Sequence, residues 1–558
     1  MNKNSISLGF LILLLFSLLH IVLVAPSDGM LYDSSAYTEC QARPEAPLYH
    51  GGVLKNQALV QPRGRIATTN SALYTPALML HNLTGGTVYC FSSWVKIKGA
   101  DSSLIRASLA GEDLHECVGS VIAKRGCWSF LKGGFVISSS SNFSLLYFHY
   151  QNAEEKDISI EIASASLQPF TSQQWEKNRQ LRINAERKRV VTLHVSDKQG
   201  DRVEGALVQV QQISKDFPLG SAIASTVLGN QPYQNWFVKR FNAAVFENEL
   251  KWNATEHEPG KVNYTIPDQM LEFVRANQII SRGHNIFWEN PKFAPPWVRN
   301  LSDHDLESAI NFRIQSLMKN YKDEFINWDV NNEMLHFDFY EQRLGPNASL
   351  RLFEMAHQSD PLATLFMNEF NVVETCADYH STVDAYISRL RELKLNGVSM
   401  GGIGLQGHFT RPNPPLIRAV LDKLATLHLP IWLTEVDVNK KFDMETQALY
   451  LEEVLREGFS HPSVNGIMLW TAHHPNGCYQ MCLTDNDFHN LPAGDVVDKL
   501  LMEWQTGEIE GLTDERGSYS FNGFLGEYKV SVKYGNQTAS STFSLNRGGE
   551  TRHFSIQL

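Results

Sequence analysis

The stretch Phe325-Ile326-Asn327-Trp328-Asp329-Val330-Asn331-Asn332-Glu333-Met334-Leu335-His336 decides how the rest of the chain is read. β-Branched and aromatic residues from Phe325 to Val330 read as a buried strand, and the run stops at three polar groups, Asn331, Asn332 and Glu333. In a parallel barrel or sheet, the ends of the strands are where the following loops form the mouth of a cleft. A single Asn-Glu after a strand is as readily a solvated or capping pair, so a second feature is needed.

That second feature is Leu429-Pro430-Ile431-Trp432-Leu433-Thr434-Glu435-Val436-Asp437, again an apolar strand ending in a carboxylate. Glycosidic bond cleavage needs two such groups. One stays protonated to donate to the leaving oxygen, and the other stays ionised to attack the anomeric carbon. Glu333 and Glu435 are the pair to test.

Outward from these two strands, between about residues 215 and 507, strand-like runs alternate with helical ones. The runs are Gly220 to Ser225, Ala243 to Phe246, Ile279 to Phe287, Phe325 to Val330, Thr364 to Met367, Gly402 to Leu405, Ile431 to Thr434 and Gly466 to Trp470. Helix-patterned stretches such as Leu306 to Lys319, Val383 to Leu393, Leu416 to Leu427 and Thr446 to Glu457 separate most of them. Eight strands with intervening helices predict a closed (β/α)8 TIM barrel, with Glu333 ending the fourth strand and Glu435 the seventh, on one rim. Polar and aromatic residues follow several strands: Glu247-Asn248-Glu249-Leu250-Lys251-Trp252, Arg282-Gly283-His284-Asn285-Ile286-Phe287-Trp288, Gln406-Gly407-His408 and Trp470. Each alone has an ordinary core or surface explanation; together they describe a site.

These motifs, in this order, resemble family-ten glycoside hydrolases, the endo-β-1,4-xylanases. Gly283-His284-Asn285-Ile286-Phe287-Trp288-Glu289 and His473-His474-Pro475-Asn476-Gly477-Cys478 look most like the plant cell-wall branch. The resemblance implies a retaining double displacement on internal bonds of xylan, with Glu333 as general acid/base and Glu435 as nucleophile, about 5 Å apart. It implies that His408, with Asp437 behind it, supports the nucleophile. Asn332 is expected on the sugar 2-hydroxyl; Glu247, Asn248, Lys251, His284, Trp288 and Gln406 on the non-reducing side; and Trp470 under the reacting ring. No cofactor and no metal are implied. Three departures bear on the rim of the cleft: Glu289 where His is common, Asn368-Glu369-Phe370-Asn371 where Asp-Tyr is common, and the stretch around Cys478 in place of a second aromatic.

A chain of 558 residues exceeds one core, so further domains flank the barrel. Short alternating runs between residues 36 and 170 predict an all-β jelly-roll sandwich: Leu73 to Leu80, Val88 to Val95, Leu104 to Leu109, Trp128 to Val136, Ser144 to Tyr150 and Ile158 to Ile162. Cys90-Phe91-Ser92-Ser93-Trp94-Val95-Lys96 and the segment from Gly126 to Phe135 resemble carbohydrate-binding modules of family twenty-two. Trp94, Trp128, Tyr147 and Tyr150 are its aromatics for stacking on sugars or for the core. Polar residues 171–187 read as a helical or extended linker. Residues 188–214 and 508–558 hold too few strands each for a sheet, so the two segments are expected to pair as one small β-sandwich around the inserted barrel.

The apolar run Leu8 to Val24 after Lys3 reads as a secretory leader over residues 1–25, with an uncleaved anchor as the alternative. Asn82, Asn142, Asn253, Asn263, Asn300, Asn347 and Asn536 stand in glycosylation sequons. Cys40, Cys90, Cys117 and Cys127 are expected to pair among themselves in an oxidising compartment, Cys478 with Cys482, leaving Cys376 free. A net charge of −11 argues against a nucleic-acid partner, and no stretch after the leader is apolar enough for a membrane. The reading is thus a secreted cell-wall enzyme whose partners are xylan and xylo-oligosaccharides, held near wall polysaccharide by its N-terminal module. Its rivals are a xylan endotransglycosylase, an enzyme of mixed-linkage glucan or cellulose, and a non-catalytic wall-binding protein.

Overall fold

Alternating apolar residues form seven strands in the N-terminal part of the computed structural model, which describes residues 31–55, 76–111, 115–150, 158–548 and 551–558. The expected leader lies outside the described residues. The strands are β1 (Ala77–Leu83), β2 (Val88–Lys98), β3 (Ser102–Ala110), β4 (His115–Lys124), β5 (Ser129–Val136), β6 (Ser141–Tyr150) and β7 (Ser159–Phe170). They build two facing antiparallel sheets, ordered β1-β6-β3-β4 and β5-β2-β7, around a core that includes Phe91, Phe135 and Phe148. β4 has no counterpart among the predicted runs, because Gly119 interrupts its pattern. A Cβ there would lie 3.0 Å from the Lys132 carbonyl oxygen, so close strand approach favours glycine.

Two of the four aromatics weighed for sugar stacking are core residues: Trp94 is 1% exposed and Tyr147 5%. Trp94 packs at 5.1 Å from both Phe130 and Tyr37, and its burial corrects any reading of it as a surface platform. Trp128 and Tyr150 are half-buried.

The predicted linker is a helix, Ser172–Glu186, started by a capping box between Thr171 and Gln174. Its residues Trp175, Arg179 and Ile183, spaced by four, are buried on one face. Trp175 Nε1 donates to Glu457 Oε1 at 2.6 Å and Arg179 Nη1 to Glu453 Oε2 at 3.0 Å, both carboxylates on the helix Met444–Ser460. Arg187 donates to the carbonyl oxygens of Phe459, His461 and Val464 at 2.9, 2.8 and 2.7 Å. Of the two forms expected for this segment, helical or extended, the structure shows the helix, packed through these partners.

The sheet containing β5 rests on the helix Pro414–Ala425, within one compact unit running from Ser34 to Leu558. A Cβ on Gly134 would come within 2.6 Å of Pro415 Cβ, so this contact requires glycine. Asn413 Nδ2 donates to the Gly134 carbonyl at 3.0 Å, and Lys132 pairs with Asp422 at 3.0 Å with both side chains buried. A disulfide joins Cys117 of β4 to Cys376, which corrects the expectation that Cys376 is free. The others are Cys40–Cys127 and Cys478–Cys482, and buried Cys90 is the free thiol.

After β8 (Lys188–Ser196) and β9 (Leu207–Lys215) come the barrel strands β10 (Leu219–Ile223), β11 (Ala243–Phe246), β12 (Ile280–Trp288), β13 (Asn327–Asn332), β14 (Thr364–Glu369) and β15 (Gly402–Leu405). A two-residue strand β16 (His408–Phe409) precedes β17 (Ile431–Val438) and β18 (Val464–Leu469). Eight of them are parallel neighbours in chain order, and the β15–β17 and β10–β18 pairings close the barrel. Ala222, Val245, Phe366, Trp432 and Met468 fill the interior. Gly283 lets Trp328 lie across it, since a Cβ there would sit 2.1 Å from the indole.

Past the barrel are β19 (Glu508–Leu512), β20 (Ser518–Phe524), β21 (Gly526–Tyr534), β22 (Gln537–Leu545) and β23 (Thr551–Gln557). They form two sheets with the strands from before the barrel, β19-β9-β21-β22 and β20-β8-β23, around Leu193, Val208, Tyr528 and Val530. The segments flanking the barrel therefore complete one β-sandwich.

Candidate active site

Glu333 is the first residue after β13 and has a φ of +62°, a conformation that costs a non-glycine residue on the order of 1–3 kcal/mol. The Glu333 amide donates to the Asn368 carbonyl at 3.1 Å, and its own carbonyl accepts from Phe337 at 3.1 Å, which holds the turn. The turn aims the carboxyl so that Oε2 accepts from Trp288 Nε1 at 2.7 Å and Oε1 from Gln406 Nε2 at 3.1 Å. Burial pushes this carboxyl up to about 7, helped by the charges of Glu369 and Glu435 and opposed by the two hydrogen bonds.

Glu435 lies within β17, equally buried, yet behaves oppositely. Its Oε1 accepts from Asn368 Nδ2 at 2.8 Å, with His284 Nδ1 4.0 Å away, and its Oε2 faces His408 Nε2 at 3.3 Å. Burial alone would raise it. The hydrogen bond from His408 and the charges of His284, His408 and Lys251 outweigh burial and hold Glu435 at about 2. β16 places His408 opposite Asp437, with Nδ1 3.0 Å from Oδ1. Burial disfavours a charged imidazole, but Asp437 and Glu435 win and keep His408 protonated well above the usual range.

Two residues link the surroundings of the two carboxyls. Gln406 donates its side-chain amide to Glu333 while its main-chain carbonyl accepts from the main-chain N–H of Glu435 at 2.7 Å. Asn368 Nδ2 donates both to Glu435 and, at 3.0 Å, to Asn332 Oδ1.

Beside this pair, Lys251 Nζ donates to Asn248 Oδ1 at 2.9 Å and sits 4.8 Å from the Trp288 ring centre and 5.6 Å from that of Trp470. Burial lowers its basicity against the pull of Glu435 and Glu247. Asn248 Nδ2 donates to Glu247 Oε2 at 3.0 Å. His284 Nδ1 faces Asp329 Oδ2 at 2.8 Å, and Asp329 also accepts from Arg282 at 2.6 Å. The structure thus brings all twelve predicted site residues into one connected cluster at the strand ends. His284 Nε2 and Asn332 Nδ2 are buried and have no hydrogen-bond partner among the described residues, so both can serve a ligand's hydroxyls.

Residues 209–493 match glycosyl hydrolase family 10, and the chain is 35% identical over 540 residues to endo-1,4-beta-xylanase 5 of Arabidopsis thaliana, spanning 93% of this chain and 92% of that protein. The chain belongs to glycosyl hydrolase family 10. Endo-1,4-beta-xylanase 4 of the same plant is 34% identical over 518 residues, 91% of this chain and 88% of its own. Among solved structures, xylanase 10B from Thermotoga petrophila RKU-1 in complex with xylobiose aligns with 52% of this chain and 94% of its own at 23% identity and a TM-score of 0.46.

Two of the family-10 departures expected at the rim are interior groups. Glu289 is fully buried, accepting from Asn331 Nδ2 at 2.6 Å and from the Tyr340 amide at 3.0 Å, and burial beside Glu341 raises it well above the usual carboxylate range. Glu369 is also fully buried and faces His336 Nδ1 at 2.7 Å. His336 Nε2 faces Asp378 at 2.9 Å, and its ring stacks on Phe370 at 3.7 Å. Burial disfavours charge on His336, but the two carboxylates raise it to about 9.

Three contacts of the site were not singled out from the sequence. Asn368 touches Glu435 directly, Asp329 orients His284, and His474 Nε2 faces Glu247 Oε2 at 2.7 Å. Asp329 stands between Trp328 and Val330 inside its strand, and Asn368 follows the apolar run 365–367 at the end of its own; these placements are the available signal. Asp485, Asp487 and His489 are the described side chains close enough together to share a cation; they are exposed, and none belongs to this cluster.

Proposed function

We propose that the protein is a secreted endo-1,4-β-xylanase that cleaves internal xylan bonds by a retaining double displacement, with Glu333 as acid/base and Glu435 as nucleophile. The observation that carries this reading is two buried carboxyls on one rim in opposite surroundings: Glu333 meets the neutral donors of Trp288 and Gln406 and is pushed up to about 7, whereas Glu435 has Asn368, His284 and His408 against its oxygens and is held at about 2. Between those values Glu333 holds a proton to give to the leaving oxygen while Glu435 is ionised for attack. Esterification of Glu435 removes a negative charge that holds the Glu333 proton, so Glu333 then serves as base toward the incoming water. Asn332 and His284 offer donors to hydroxyls of the reacting sugar, while Asn248 and Lys251 offer donors, and Glu247 an acceptor, to those of the ring before it. Trp470 and Trp288 supply the apolar walls against which pyranose faces pack.

Secretion is supported by the apolar N-terminal run, by three disulfides and by the exposure of six of the seven sequon asparagines, Asn253 being half-buried. The N-terminal sandwich is read as a wall-polysaccharide module. Docked on the barrel, it would bring the cleft itself to the polymer.

The test is product analysis on glucuronoxylan and arabinoxylan with Glu435→Ala and Glu333→Gln. Short xylo-oligosaccharides of retained anomeric configuration, lost in Glu435→Ala, support the reading. Rearranged longer chains would make the protein a transglycosylase, and wild-type binding without products a wall-binding protein.

A further inference from the structure

The loop after β18 puts one aromatic on each side of Glu435. Trp470, buried, lies 5.2 Å from His284 and 5.6 Å from Lys251 Nζ, the side on which the glycone-binding residues gather. Nine residues later, Tyr479 lies 5.6 Å from the ring of His408, edge to face, and His408 approaches the opposite oxygen of Glu435. Tyr479 is 53% exposed. Burial therefore does not account for an aromatic at this point.

The loop is built to hold that ring in place. The Cys478–Cys482 disulfide closes a five-residue cycle around Tyr479, and the Cys478 amide points at Cys482 Sγ at 3.0 Å. Met481, buried in the barrel cluster, anchors one side. Gln480 accepts from the Lys440 amide at 3.3 Å and from Gln447 Nε2 at 3.4 Å on the other. A covalent cycle with a buried anchor, presenting one solvent-facing ring beside the nucleophile's histidine, is the arrangement a sugar-stacking platform requires.

Building on the xylanase reading, we propose that Tyr479 is the platform for the xylosyl ring on the leaving-group side of the scissile bond, and that the Cys478–Cys482 cycle fixes it there. The ligand is a neutral β-1,4-linked pentopyranose whose apolar face meets the phenol ring, as the departing sugar or as an acceptor replacing water.

The experiment compares kcat/KM on xylohexaose, which places sugars on both sides of the bond, with kcat/KM on β-xylobiosyl fluoride, whose leaving group has no ring. In Tyr479→Ala the ratio of the two should fall about five- to tenfold, the size expected for one ring-stacking contact. Tyr479→Phe should keep the wild-type ratio, and Cys478→Ala/Cys482→Ala, with Tyr479 present, should lose part of it. A ratio unchanged in Tyr479→Ala, including equal loss on both substrates, overturns the assignment to the leaving-group side. A wild-type protein that turns over neither substrate overturns the xylanase reading itself, and turnover of the fluoride in the variants shows that they fold.

Discussion

The indole N–H of Trp288 points at Glu333 across 2.7 Å, and the same indole stacks on Phe293 at 4.0 Å. The ring is thus locked by packing while its N–H favours the ionised form of a carboxyl that burial pushes up to about 7. The alkaline limb of kcat/KM is expected near that value. Trp288→Phe removes the hydrogen bond and keeps the stacking, so the proton is held more tightly and the limb should move up by about one pH unit. KM should rise as well, because Trp288 is also proposed to wall the cleft. A pH profile whose alkaline limb stays put or moves down would show that Trp288 does not tune Glu333.

On the proposed mechanism the acid limb belongs to Glu435, held at about 2 by its histidines and Lys251. The hydrogen bond from His408 is the strongest of the forces that lower it. In His408→Ala, burial should dominate and carry the limb up into the range where the wild type is fully active, with the rate at pH 5 lowered about tenfold or more. An acid limb indistinguishable from wild type would mean that Asn368, His284 and Lys251 suffice.

Asn368→Ala tests the link between the two halves of the site. Its amide touches Glu435 Oε1 and Asn332 Oδ1, and Thr434 Oγ1 donates back to Asn368 Oδ1 at 2.6 Å. Removing it unties Glu435, the proposed nucleophile, and frees Asn332, so kcat should fall roughly 10²-fold, a hydrogen bond to a charged group being worth about 1.5–3 kcal/mol. KM for xylohexaose should change little, because Asn368 is a positioning residue behind the cleft wall. A variant that loses KM and keeps kcat would instead place Asn368 on the substrate.

The barrel was legible because its strands are continuous apolar runs that stop at carboxylates, amides and histidines, a pattern that needs no tertiary information. Glu333 and Glu435 could be paired from chemistry alone. Other features depend on what lies opposite. Gly119 reads as a break until the Lys132 carbonyl is seen beside it, and nothing in the polar segment around Arg179 points to its partners Glu453 and Glu457. Cys117 and Cys376 are 259 residues apart, a pairing that local spacing cannot suggest. Glu289 shows the same limit within the site. A charged residue beside Trp288 belongs on a rim by its chemistry, yet Asn331 and the Tyr340 amide give it partners inside.

The junction between sandwich and barrel supplies the last prediction. Lys132 of β5 and Asp422 of the helix Pro414–Ala425 meet at 3.0 Å, both buried, with His461 3.4 Å from the other oxygen of Asp422. Burial would raise the Asp422 carboxyl, but Lys132, His461 and Arg418 lower it to about 2. A carboxyl lowered on folding stabilises the native state above its unfolded pKa and loses that contribution as pH falls toward its native one. Asp422→Ala deprives buried Lys132 of this carboxylate, so the full-length protein should lose about 3–5 kcal/mol at pH 6. Calorimetry should show a lower melting temperature at pH 6, or a separate early transition for the sandwich while the Cys117–Cys376 bond holds it in place. The wild-type and Asp422→Ala curves should converge as the pH approaches 2. Equal melting at pH 6 would mean that the disulfide and the Gly134–Pro415 contact carry the junction without the ion pair.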